Sequence, residues 1–181
     1  MTHGDRHMKS RTKRPATALL MSMAIAVAGA GPVTDAELAA CRNACQKLGS
    51  SLMAALVLAL KEGGPAKAIG VCRDRAPALA ADISKEEGLM VRRTGLRIRN
   101  PANAPDAWER QTLEGFQKRL QAGEDGAALE FAEVTAVEGN PTVRYMKAIL
   151  VAEPCLKCHG EALDPTVAAA VAQDYPEDRA T

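Results

Sequence analysis

Apolar positions recur at intervals of three and four from the mid-thirties onward. Leu38, Cys41, Cys45, Leu48, Leu52, Ala55 and Ala59 fall on one face of a long helix. Thr34 and Glu37 form a capping-box pair at its start, and Gly63-Gly64 ends it. Pro65 can open a second helix, with Ile69, Cys72, Ala76, Leu79 and Ile83 on one face. Pro77 is predicted to kink or break that helix just after the turn carrying Cys72.

Beyond Gly88 the period changes. Leu96 and Ile98 alternate with Arg97 and Arg99, which predicts a strand, and "NPANAPDAW" reads as a turn-rich connection. "DAWERQTLEGFQKRLQAG" predicts a helix ending near Gly123. "ALEFAEVTAVEGNPTVRYMKAILV" predicts two strands around a Gly139-Asn140-Pro141 turn. Helices, a strand, a helix, a hairpin and a final loop make an α+β domain with an antiparallel sheet and long N-terminal helices.

The N-terminus follows a different rule. Lys9, Arg11, Lys13 and Arg14 precede an apolar run from Ala16 to about Val27, and Ala28-Gly29-Ala30 suits cleavage before Gly31. The expectation is a signal peptide over 1–30, a single domain over 31–181, and a periplasmic location. The run is short and alanine-rich for a membrane span, so no stable membrane insertion is expected after cleavage. An uncleaved anchor is the alternative. Loss of five Lys/Arg and one Asp with the leader takes the formal charge from +1 to −3. That acidity argues against nucleic acid as a partner.

"EPCLKCHGE" carries the candidate chemistry: Cys155, Cys158 and His159. A thioredoxin-type pair would follow a strand in a βαβ unit, and none precedes Cys155. A zinc site would call for a second, well-separated ligand pair, and the other cysteines supply no C-x2-C. The spacing fits covalent haem c, one per chain: two thioethers anchor the ring and the next residue offers an imidazole to the iron.

The opposite side of that iron is open on the residues alone. His3 and His7 lie in the leader, leaving His159 as the one histidine of the mature chain. Met53, Met90, Met146, Cys72, a lysine or a vacant position all remain. A lone Met or a helix-face Cys is more often plain core. Cys41 and Cys45, at i and i+4, read as small core residues, since a disulfide within a regular helix is strained.

Five segments taken together narrow this: "AIGVCRDRAPALA", "RTGLRIRNPANAPDAWE", "RYMKAI", "PCLKCHG" and "YPEDRAT". They resemble a family of periplasmic c-type haem domains with a PAS-like fold, found in a small cyanobacterial cytochrome and in sensor parts of signalling proteins. The resemblance covers about 34–181. It implies a PAS-like antiparallel sheet, His159 as one axial ligand and Cys72 as the other. The Arg99–Asn103 stretch matches a family hallmark without an assignable role. In that family the domain continues past the Tyr-Pro-x-Asp segment to a last strand, so a domain short of that strand is expected here.

Propionates of a buried haem need cationic partners, and Arg97 and Arg99 are the candidates among Arg92, Arg93, Arg97 and Arg99. The expected role is redox or small-ligand sensing, or low-potential electron transfer, with a redox or signalling partner whose identity the sequence does not give. No triad, carboxylate pair or phosphate loop suggests an enzyme. A cytochrome c′-like helical haem protein and a haem-free thiol redox protein are the alternative readings. The alternating segments at 96–99 and 129–151 weigh against four helices.

Overall fold

A computed structural model describes residues 31–151 and 153–180; the expected leader lies outside them. Helix α1 spans Asp35–Gly70. Its capping box forms as predicted, with the Thr34 amide donating to Glu37 Oε2 at 2.8 Å and the Glu37 amide donating to Thr34 Oγ1 at 3.3 Å. Gly63 (φ −159°, ψ 16°) and Gly64 (φ 68°, ψ −167°) break the helical backbone before Pro65 resumes it. The positive φ at Gly64 suits glycine, which has no Cβ to clash.

After Gly70 the helix widens into a π turn, Val71–Arg75, closed by the Ala76 amide on the Val71 carbonyl. Helix α2, Ala76–Glu87, follows with Pro77 in its first turn. In a continuous α-helix Pro77 would lack its donor and press on the Arg73 carbonyl four residues back. The wider turn absorbs that conflict. Helix α2 comes back against the N-terminal half of α1, where Ala44, Leu48 and Ile83 form a buried cluster flanked by Leu52 and Leu79. Lys47 reaches Glu86 and Glu87 across the same seam. Every residue of the two predicted apolar faces is buried or half-buried. The stretch Asp35–Glu87 is long and apolar enough to cross a membrane by length and composition, although the glycine pair interrupts it.

The strand predicted at Leu96–Arg99 does not form. Side chains hold this segment to the next turn instead: Thr94 Oγ1 donates to the Asn103 carbonyl at 3.0 Å and Arg92 donates to that of Ala104 at 2.7 Å. An alternating pattern makes a strand only if a second strand lies alongside. Among the described residues the backbone contact of Leu96–Arg99 is one bond, from the Arg179 amide to the Ile98 carbonyl at 2.9 Å. The Arg99–Asn103 stretch is a turn, with Asn100 Oδ1 accepting from the Ala102 amide at 2.9 Å.

Helix α3, Ala107–Gln121, opens on an Asp106/Glu109 capping box and stops before Gly123 (φ 87°). Strands β1 (Glu130–Val137) and β2 (Asn140–Lys147) pair antiparallel with Val137 opposite Asn140. The turn therefore falls on Glu138 (φ 51°) and Gly139 (φ 81°), one residue earlier than predicted. Two positive φ values mark a type I′ turn, whose twist suits a two-residue hairpin. Pro141 sits inside β2 opposite Ala136, tolerable because this strand has a free edge. Among the described residues this hairpin is the whole sheet, so the fold is α+β with a smaller sheet than expected. The hairpin also separates it from a four-helix bundle. Helices α4 (Glu153–His159) and α5 (Pro165–Asp174) complete the chain.

Glu130 ties the hairpin to α1. Arg42 Nε lies 3.1 Å from both of its carboxylate oxygens, and Tyr145 Oη donates to Oε2 at 2.8 Å. The Arg42 and Tyr145 hydrogen bonds lower the Glu130 pKa to about 2. A carboxyl depressed on folding stabilises the fold above its unfolded pKa and loses that contribution as pH falls through the folded one. Stability should therefore drop between about pH 4.5 and about pH 2, from this group. Glu130→Gln should flatten the decline in urea denaturation curves measured across that range.

Candidate functional site

Helix α4 sets Cys155 and Cys158 three residues apart, on one side of a two-turn helix rather than in the predicted loop. Cys158 packs against a buried cluster of Ile69, Val167, Val171 and Tyr175, drawn from α1, α5 and the residue after α5. Burial pushes the Cys158 thiol pKa up, partly offset by Arg99. His159 ends the helix and is exposed. Desolvation and then the Arg99 charge lower its pKa, with the Ala180 backbone and Asp178 opposing them.

Cys72 lies in the π turn, half-buried. Burial raises its pKa, Arg93 and Arg99 oppose that, and the Cys155 sulfur reinforces it. Cys158 also feels the charge of Cys72. The fold thus brings the predicted Cys72 within electrostatic reach of both cysteines of the motif. The other ligand candidates sit less favourably. Met90 is 92% exposed on the loop after α2 and Met53 is 45% exposed on α1. Met146 pairs across the hairpin with Phe131.

The two predicted arginines part company. Arg97 is exposed. The Arg99 side chain is 9% exposed, with Nη2 donating to the Cys158 carbonyl at 2.6 Å and lying 3.1 Å from Asp178 Oδ2. Its guanidinium sits 5.9 Å from the centre of the Tyr175 ring. Arg99 Nε is buried and has no hydrogen-bond partner among the described residues. Arg93, passed over as a site residue, acts electrostatically on Cys72, His159 and Tyr175.

Asp178 and Tyr175 are further participants that the sequence alone did not assign. Their signal was the "YPEDRAT" segment, but only folding reveals which residues it meets. Cys41 and Cys45 are free and half-buried on α1, as small core-facing residues. A shallow groove of about 400 Å³ flanks α4, lined by Pro65, Lys157, Ala162, Asp164, Thr166 and Val167. A larger groove of about 580 Å³ runs along β1 and shares no residue with the cysteine cluster.

A small α+β protein that gathers a Cys-x-x-Cys-His helix, a distant cysteine and a buried arginine is the class this geometry defines. The chain belongs to the Tll0287-like family, whose profile matches residues 6–181. It is similar in structure to the cyanobacterial haem protein Tll0287, with a TM-score of 0.60 and 25% identity, over 82% of this chain and 86% of that one. No curated protein matches the chain.

Breaking a nearly buried ion pair from one side leaves an uncompensated charge, at a cost of about 3–5 kcal/mol. Asp178→Asn should destabilise the chain by an amount of that order. Arg99→Gln should also cost stability, adding the lost bond to the Cys158 carbonyl. The double variant should cost clearly less than the two singles together. Chemical denaturation of the four proteins in a mutant cycle measures this.

Proposed function

We propose that this chain is an exported monohaem c-type protein, bound covalently through Cys155 and Cys158, with His159 and Cys72 as axial ligands. The observation that carries the reading is the convergence of Cys72 and Cys158 on a buried Arg99 whose Nε has no partner among the described residues. A cationic nitrogen stranded out of water calls for an anionic partner, and a haem propionate has that chemistry. The apolar surroundings fit as well: Ile149 is 76% exposed, Val151 63% and Leu156 51%, just before and within the motif. A flat apolar group would cover such side chains. Membership of the Tll0287-like family and the likeness to a cyanobacterial haem protein support the same cofactor.

Haem would supply one-electron chemistry at its iron; the chain's residues govern the rest. His159 is the candidate imidazole donor, and desolvation with the Arg99 charge favours its neutral form. Arg93 and Arg99 favour the anionic form of Cys72 against its burial. A thiolate donor lowers a haem potential relative to methionine. Low-potential electron transfer, or redox or small-ligand sensing through release of Cys72, follows from that ligand set. In this reading the protein is not an enzyme and works in the periplasm after removal of residues 1–30. The hairpin would belong to a PAS-like sheet.

Co-expression with a c-type haem maturation system, then a haem stain after denaturing electrophoresis, tests attachment. Haem should survive denaturation and be lost when Cys155→Ser and Cys158→Ser are combined. Haem that extracts freely from the unsubstituted chain overturns covalent binding, and a chain that takes up no haem leaves the thiol reading. Cys72→Ala should convert ferric low-spin iron to high-spin or water-ligated iron and raise the potential. If Met146→Ala does this and Cys72→Ala does not, the axial assignment is wrong. Arg99→Gln should shift the potential more than Arg97→Gln.

A further inference from the structure

The last residue of α5 and those after it touch both elements that carry the candidate ligands, and they begin with a locally unfavourable choice. Asp174 places a negative charge in the last turn of α5, where the helix dipole disfavours it. Arg73, the neighbour of Cys72, answers it. The Arg73 guanidinium holds Asp74 through Nε at 2.8 Å and Nη2 at 3.0 Å, and gives its remaining Nη1 to Asp174 Oδ1. The π turn is thereby fastened to the end of α5.

The next residues fasten the other side. Tyr175 is 7% exposed and packs on Ile69, Val167 and Val171 beneath the Arg99 guanidinium. Pro176 prevents the helix from continuing. Asp178 then closes on Arg99, which also holds the Cys158 carbonyl, while the Arg179 amide bonds the Ile98 carbonyl. Ala180 is set by its own amide on Asp178 Oδ1 at 2.9 Å. One short segment thus contacts the residue beside Cys72 at one end and, through Tyr175 and Arg99, Cys158 of α4 at the other.

We infer that Asp174–Ala180 is a brace between the two ligand-bearing elements, in which Asp174 positions the Cys72 turn and Asp178 positions the end of α4. The inference rests on the ligand reading above for its meaning at the iron. It implies a regulatory consequence: release of Cys72 frees the π turn, and the Arg73–Asp174 pair passes that freedom to the strap. Each ion pair acts on position alone and touches no reacting atom.

The haem-loaded full-length chain tests this with two readouts. By electron paramagnetic resonance and absorption, Asp174→Asn should raise the ratio of Cys72-free to Cys72-bound ferric iron about twofold to fivefold, the scale of a partly exposed pair. The charge exchange Arg73→Asp with Asp174→Arg should restore the ratio. By amide hydrogen exchange, Asp174→Asn should speed exchange across Val71–Ala76, and Asp178→Asn should speed it across α4. Asp178→Glu, which keeps the charge, should fold and perturb α4 less. Cys72→Ala should loosen 174–180. Unchanged exchange at Val71–Ala76 in Asp174→Asn, with an unchanged spin state, overturns the brace. If exchange responds as expected but Cys72→Ala leaves the haem spectrum unaltered, the brace stands and the axial assignment falls.

Discussion

A guanidinium at 9% exposure has little water to solvate it, so the protein around Arg99 must supply oxygen atoms. Those oxygens come from far apart in the chain: the Cys158 carbonyl in α4 and the Asp178 carboxylate near the C-terminus. The need to satisfy one buried cation therefore determines where α4, the 89–100 segment and the last residues meet. Tyr175 provides the floor and the apolar cluster of Ile69, Val167 and Val171 supports it. Among the described residues Nε keeps no hydrogen-bond partner, so in the proposed reading the residue that organises this region is also the one open to an anion.

Cys72 depends on a second constraint, the clash between Pro77 and a regular helix. The π turn at Val71–Arg75 is the local solution, and it places the cysteine on a widened turn instead of a plain helical face. Such turns recur at functional sites because they redirect a side chain without ending the helix. Here the redirected residue faces the field of Arg93, Arg99 and Cys155. The two constraints act on opposite sides of one region: proline shapes the Cys72 side and arginine shapes the α4 side.

The hairpin end of the molecule is organised separately. Glu130 joins Arg42 of α1 to Tyr145 of β2, and Arg144 lies 4.2 Å from the centre of the Trp108 ring. These polar and cation–π contacts dock the sheet where large apolar side chains are few. Five aromatic residues in the whole chain cannot build a wide core. Small residues such as Ala44, Ala59, Ala68 and Ala76 let the helices approach closely instead.

Much of this was legible one segment at a time. The capping box at Thr34, the glycine break before Pro65, the two apolar helix faces, α3 and the hairpin are local events, decided by periodicity and backbone conformation within a few residues. The Cys155, Cys158 and His159 spacing and the Pro77 irregularity belong with them. Folding decided the rest, because it turned on partners distant in the chain. Leu96–Arg99 has a strand's alternation but no strand beside it among the described residues, and its Ile98 carbonyl accepts from the Arg179 amide instead. Arg97 and Arg99 are equivalent in sequence; one is exposed and the other buried because only Arg99 reaches Asp178 and the Cys158 carbonyl. Sequence periodicity specifies which face of an element is apolar, but which charge is buried depends on the oxygens that distant segments bring to it.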